Sequence, residues 1–319
     1  MKYIYFLLIP ALFFLGSCEE NTTQSVFDHN ASLEGYVLFE DGSPDTLSAE
    51  VSASRNNLIL AVTQTDTCGY YLMEELSTGE YYISIALAGY SRKSFSVILT
   101  NDILVTADTL TMEPMASMQM ATRVVDGVID GGWLPVYTDD HVSNWGPNDF
   151  EELYMAYDDE YLYIAVTGAF STSDNTVTIC IDKDDSAATG IYNFMQVSGG
   201  DIGDHIRKEI TAPETFGADI AFNSGWSLAG GEGVVSIDKD NPSAVDTAML
   251  EDVVISMNSS VIEFAISLQE MYGSPNLPEQ ISLIGYIGGG DNLNFANDVI
   301  PQGGGDFGGT FLEVFTIGF

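Results

Sequence analysis

The feature that most limits this chain is a two-residue rhythm of apolar side chains, broken about every ten residues by turn-formers. Leu33, Gly35, Val37 and Phe39 alternate with other residues and run into the turn signal Asp41-Gly42-Ser43-Pro44. Ile83, Ile85 and Leu87 form a second such row, and Phe95, Val97 and Leu99 a third. The rhythm resumes downstream. Leu153, Met155 and Tyr157 alternate, Asp158-Asp159-Glu160 turns, and Tyr161 to Val166 returns; Val177, Ile179 and Ile181 follow, ending at Asp182. Val253–Met257, Val261–Ile266 and Ile281–Ile287 read as further strands, with one short helical turn after Leu268. No long helical period occurs. Short alternating runs that each bury one face predict an all-β chain built of two β-sandwiches.

Residues 1–17 open with Met1-Lys2 and continue from Ile4 to Leu15 without a charge. A short basic start, an apolar middle and small residues read as a secretory signal peptide, and the apolar run is shorter than the ~20 residues a membrane span takes. Leu15-Gly16-Ser17-Cys18 resembles the lipobox of bacterial lipoproteins. That resemblance implies lipidation of Cys18, a membrane anchor and a place in the cell envelope, at the outer membrane or the cell surface. Residues 18–30, polar and acidic, are expected to be a flexible tether.

Charge narrows the partners. The chain has 9 Lys and Arg against 47 Asp and Glu, a net charge of −38. Nucleic acid is excluded as a partner, because phosphate binding needs clustered basic residues. Anionic lipid is repelled as well, so the acyl chains would carry the attachment. The chain is nevertheless apolar enough to fold, with 45% hydrophobic residues. Cys68 and Cys180 read as small, buried, free thiols, with a disulfide between the two domains as the alternative outside the cytoplasm, and the absence of paired Cys-x-x-Cys motifs argues against structural zinc.

Residues 31–114 contain Gly35-x-Val37, then Gly69-x-Tyr71 through Leu76 to Gly79-x-Tyr81, then Ala88-Gly89-Tyr90. This pattern resembles the carboxypeptidase regulatory-like domain, a transthyretin-like sandwich that serves as a spacer. It departs from that pattern at Cys68, where Asp or Asn often stands. Met-rich residues 115–121 are expected to form a hinge. In 122–319, Asp126-Gly127-x-x-Asp130-Gly131-Gly132-Trp133, the hairpin Ala156–Val166, Ile181-Asp182-x-Asp184-Asp185 and Glu263-x-Ala265-Ile266 together resemble family 9 carbohydrate-binding modules and their DOMON-like relatives. The resemblance implies a larger sandwich and a sugar ligand.

Sugars offer flat apolar faces ringed by hydroxyls, so binding needs an aromatic ring flanked by polar groups. Trp133 is expected in the core. Trp145, beside Asn144, and Trp226, shortly after Asn223, stand in polar loop contexts and are the candidate sugar-stacking residues. Calcium needs six to eight oxygen ligands. Asp182, Asp184 and Asp185 offer three carboxylates on one loop, and Asp238, Asp240 and Asn241 repeat the look. Catalysis has little support: the three histidines are His29, His141 and His205, and no nucleophile elbow, zinc-protease motif or phosphate loop occurs. The expected function is non-catalytic carbohydrate binding by a lipid-anchored envelope protein. The competing expectation is a structural or adhesion lipoprotein that contacts envelope proteins and takes no sugar.

Overall fold

The computed structural model describes residues 31–42, 47–55, 58–101, 103–143, 145–171, 175–184, 189–213, 215–225, 232–245, 249–273, 277–289, 293–301 and 314–319. The signal peptide, Cys18 and the tether lie outside the described residues, as do Asn144, Asp185 and Trp226. Among the described residues no helix is long and apolar enough to cross a membrane.

The first sandwich pairs two four-stranded sheets. One holds β1 (Ala31–Phe39), β4 (Tyr70–Leu76), β7 (Leu104–Thr106) and β8 (Leu110–Met112). The other, in the order β3-β2-β5-β6, holds β2 (Glu50–Arg55), β3 (Leu58–Gln64), β5 (Gly79–Ala86) and β6 (Lys93–Leu99). Alternation produces the core directly: Leu33, Val37, Ile83, Ile85 and Leu99 are all buried. The glycine–tyrosine motif has a steric reason. Gly35 lies opposite Tyr71 across the β1–β4 pair, and a Cβ at Gly35 would stand 2.5 Å from the Tyr71 hydroxyl. Gly69 takes φ +75° and sits where a Cβ would strike the Val37 carbonyl, while Val37 N–H donates to Gly69 O at 2.9 Å. Cys68, expected to be buried, is free but exposed, because it occupies the turn whose amides are bound by the Asp66 carboxylate.

Two short strands occupy the expected hinge. β9 (Ala116–Ser117) runs parallel to β21 (Phe315–Gly318), and β10 (Gln119–Met120) runs parallel to β12 (Asp149–Tyr157). These partners belong to different sheets of the second sandwich, and Met118 between them is buried in the core.

One sheet of the second sandwich contains β10, β11 (Pro135–Thr138), β12, β13 (Tyr161–Ala169), β17 (Val253–Met257) and β18 (Val261–Ser267). The other contains β9, β14 (Thr176–Asp182), β15 (Ile220–Asn223), β16 (Gly233–Ser236), β19 (Gln280–Gly288), β20 (Phe295–Ile300) and β21. Between them lies the main core, where Phe222 and Phe264 stack with centroids 4.3 Å apart. Among the described residues the α-helices are α1 (Gly200–Ile206) and α2 (Leu268–Tyr272), the latter ended by Gly273 at φ +63°, with one 3-10 turn at Phe194–Gln196.

Every residue of β14 is buried. Its odd positions face the main core. Cys180, on the opposite face, packs with Phe194, Ile202, Ile210, Phe216 and Tyr286 beneath the segment around α1. A strand covered on both sides reads as a continuous apolar run rather than an alternation. Lys208 is fully buried in this covering layer, its Nζ donating to the carbonyls of His205 (2.6 Å), Arg207 (3.1 Å) and Asp204 (3.5 Å) at the end of α1. On the outside of the other sheet, Trp133 is buried against Tyr154 and an alanine strip, as its sequence context predicts. Glu263, fully buried on β18, accepts the amides of Asp126 (2.9 Å) and Gly127 (2.5 Å) and pins this segment to the sheet.

Candidate functional site

Strand register sorts the candidate residues between two ends of the second sandwich. Asp149 pairs with Ala169, Thr176 with Gly288 and Thr178 with Asn223, so the start of β12 and the end of β15 share one end. Trp145 belongs to that end. It is half-buried against the main core, its amide donates to Ser143 Oγ at 3.0 Å, and its carbonyl accepts from Asn148. Gly225 reaches the same end immediately before Trp226. Asn223, expected to face sugar, is instead fully buried: its amide donates to Thr178 Oγ1 at 2.8 Å and its carbonyl oxygen accepts from Gly225 N at 2.9 Å. The reason is its place in the β14–β15 pair, where burial leaves the side-chain amide to find its partners within the protein.

The opposite end holds a cleft of about 710 Å³ that the sequence reading missed. Tyr157, Tyr161 and Met120 stand beside Asp158, Asp159, Glu160, Asp252 and Gln269 in its wall, and among the described residues no Lys or Arg lines it. The β12–β13 turn sets this wall. Asp158 accepts the amides of Glu160 and Tyr161, both at 2.9 Å, and the Tyr163 hydroxyl at 2.8 Å. Burial opposes its charge, yet the Glu160 amide, the Thr122 hydroxyl and the Tyr161 amide hold Asp158 below the usual carboxylate range. The Tyr161 hydroxyl donates to Asp252 at 3.0 Å, which together with the Asp252 charge pushes that phenol up. Two tyrosine rings beside the hydrogen-bonded carboxylates Asp158 and Asp252, in a volume within the usual range for ligand pockets, can receive a small polyhydroxyl molecule. The available signal was the run Tyr157-Asp158-Asp159-Glu160-Tyr161, which reads first as a turn.

Close to this end, Asp182, Asp184 and Asp219 each place one carboxylate oxygen within 4.8 Å of the others. Asp185 lies outside the described residues, and Asp219 is the third member found here. The Ile181–Ile220 pairing brings Asp219 beside Asp182. Asp182 is buried and accepts from Gly217 N at 3.0 Å; Asp219 accepts from Lys183 N at 3.2 Å; Asp184 is exposed and accepts from Thr189 Oγ1 at 2.9 Å. Burial first, then the charge of Asp184, pushes Asp219 up to about 6. An all-oxygen donor set with mutually repelling carboxylates fits calcium or magnesium better than zinc. The second acidic segment is a turn: Asp238 accepts from Asp240 N at 2.9 Å, and Asn241 accepts from Ser243. It forms no three-carboxylate grouping among the described residues.

No family model matches the chain, and no curated protein matches it. Solved structures give distant likenesses. A family 9 carbohydrate-binding module from Caldicellulosiruptor kristjanssonii in complex with cellotriose aligns at 10% identity over 54% of this chain and 75% of that one, with a TM-score of 0.29. A type II cohesin–X–dockerin complex from Acetivibrio cellulolyticus aligns at 14% identity and a TM-score of 0.24, over 27% of this chain and 59% of that one. The major pilin SpaD from Corynebacterium diphtheriae aligns at 11% identity and a TM-score of 0.22, over 91% of this chain and 65% of that one. The chain thus spans less than two thirds of the length of the cohesin–dockerin and pilin chains. The class to which the protein belongs, an all-β chain of packed sheets, rests on its own strand pairing.

Proposed function

We propose that this chain is a non-catalytic envelope protein, lipid-anchored at Cys18, that binds carbohydrate through its second sandwich while the first acts as a spacer. The observation that carries the reading is the cleft at the β12–β13 end. Tyr157 and Tyr161 supply rings for the apolar face of a sugar, and Asp159, Glu160, Asp252 and Gln269 supply groups for its hydroxyls. Four carboxylates with no basic residue would repel uronic or sulfated glycans, so the ligand class is a neutral oligosaccharide. Trp145, half-buried at the far end, marks a second candidate surface. The test is calorimetric titration of the protein with neutral gluco- and xylo-oligosaccharides, using Y157A, Y161A and W145A. Loss of binding in the tyrosine variants alone supports the cleft, and loss in W145A alone moves the site to the other end. Silence across a broad glycan array removes the sugar reading.

Calcium belongs to the same proposal, held by Asp182, Asp184 and Asp219, where it would neutralise the three carboxylates and tie β14 to β15. Millimolar calcium should raise the melting temperature, chelator should lower it, and D184N should abolish both shifts. Anchoring at the outer membrane or cell surface is tested by C18A, which should move the protein from the membrane fraction to the soluble fraction.

The competing reading is an adhesion or structural protein, and edge strand β3 favours it. Leu58, Ile59, Leu60 and Val62 are exposed there, with no Lys or Pro to block an added strand. That reading prevails if L60K and V62K abolish capture of a defined envelope protein while the glycan titrations stay flat.

A further inference from the structure

Asp298 is fully buried on β20, where Ala296 and Ile300 on the same face join the main core. Its Oδ2 accepts the amide of Phe150, at the start of β12 in the facing sheet, at 2.5 Å. Its Oδ1 is buried without a hydrogen-bond donor and faces the carboxyl group of Asp139. Asp139 follows β11 and is itself built into the loop. Its amide donates to Glu151 O at 2.8 Å, and its Oδ1 accepts from His141 N at 2.9 Å. Asp149 completes the group, accepting Ser143 N at 2.9 Å. Two acceptor oxygens that face each other away from water repel unless something positive lies between them.

We propose that Asp139 and Asp298 share one proton and form a pH-sensitive latch between the two sheets, one that holds the base of the Trp145 loop. With the proton present, the pair is a carboxyl–carboxylate hydrogen bond that joins β20 to the β11–β12 loop. When the proton leaves, two buried like charges oppose each other, with Asp149 adding a third, and the loop from Asp139 to Asp149 is released. The other titratable groups of the loop are Asp140, which is exposed, and His141, whose amide is bound to Asp139 and whose Nδ1 is buried without a hydrogen-bond partner. Glu151 contributes its carbonyl, and its side chain is exposed.

Burial first, then the hydrogen bond with Asp139, raises Asp298 to about 8. In the unfolded chain an aspartate loses its proton near pH ~4. Between these values the folded state holds a proton that the unfolded state lacks. The stabilisation is therefore complete below about pH 4 and lost as pH rises toward 8, by up to about tenfold in the unfolding equilibrium per pH unit. Loop 139–149 should loosen over the upper part of the same range.

The experiment is a set of urea unfolding curves from pH 5 to 9 on the full chain, with hydrogen-exchange mass spectrometry of the peptide covering residues 139–150. The variants are D298N, whose amide mimics the protonated acid, and D139N as a second version should D298N fold poorly. The proposal expects the wild-type unfolding midpoint to fall with pH while the amide variants stay nearly flat. It also expects wild-type exchange in this peptide to outpace that of the variants near pH 8. Parallel pH profiles in wild type and variants would overturn it. So would recovery of wild-type stability at pH 8 by millimolar calcium in a D184N background, since the pair would then hold a cation rather than a proton.

Discussion

Among the described residues, the buried polar side chains of the first sandwich are the hydroxyls Ser54, Thr65 and Ser84, whereas those of the second include Asp182, Lys208, Asp219, Glu263 and Asp298. A hydroxyl is satisfied by one backbone partner. A buried charge needs several donors or acceptors at once, and without them its desolvation costs several kcal/mol. In the second sandwich each of these groups is bound to backbone in a loop or at the end of a strand or helix. Glu263 holds the segment at Asp126-Gly127, Asp182 holds Gly217, Lys208 closes α1, and Asp298 holds the entry to β12. In the first sandwich the carboxylate that binds turn amides, Asp66 with Cys68 and Tyr70, does so from an exposed position rather than a buried one. The contrast indicates that the second unit has been built around fixed loops, and loops on a rigid scaffold are where binding resides.

The comparison breaks most easily at Glu263. E263A leaves the amides of Asp126 and Gly127 without their acceptor on a buried face, and the expected cost is about 2–4 kcal/mol of stability in urea unfolding. E263Q keeps one acceptor oxygen and should cost less. Burial outweighs the bonds from Gly127 and Asp126 and raises the Glu263 carboxyl, so the neutral amide is a fair substitute for its protonated form. Lys208 comes next. K208M retains the buried stem but removes three donors from the end of α1, with an expected loss of about 2 kcal/mol. Its signature should be local, with faster hydrogen exchange in residues 200–206 and little change in β12 and β13.

This difference in buried chemistry also marks where the sequence could be read and where it could not. The hairpin at Leu153–Val166, the strand running into a short helix near Leu268, and the core position of Trp133 follow from alternation and turn residues, because each element buries one face. The covering of β14 and β19 did not follow, since segment 189–218 has no regular period and its burial depends on contacts far apart in the chain. Asp182 and Asp184 were visible as a cluster within one loop. Asp219 was not, because only the β14–β15 register brings it near. Asn223 looked loop-like beside Ser224-Gly225 but ends a buried strand. Asp298 follows Ala296-Asn297 in what reads as a polar turn, and nothing local reveals that it points inward toward Asp139.

The smallest expected effect lies in the first sandwich and sharpens the contrast from its other side. Thr65 is buried, and its hydroxyl accepts the amide of Ala49 at 2.9 Å while its backbone amide donates to Ala49 O at 2.9 Å. T65A removes only the side-chain half of this exchange, a neutral bond worth about 1 kcal/mol. T65S retains the hydroxyl and should recover most of it, leaving the loss of one methyl group. Urea unfolding followed by a probe in the first sandwich measures both. If T65A proves as costly as E263A, buried hydroxyls and buried carboxylates do equivalent structural work in this chain. The assignment of loop-fixing charge to the second sandwich would then lose its energetic basis. If T65A costs about a third as much and T65S is nearly silent, the first sandwich is held by packing and the second by packing plus charge, as their buried side chains imply.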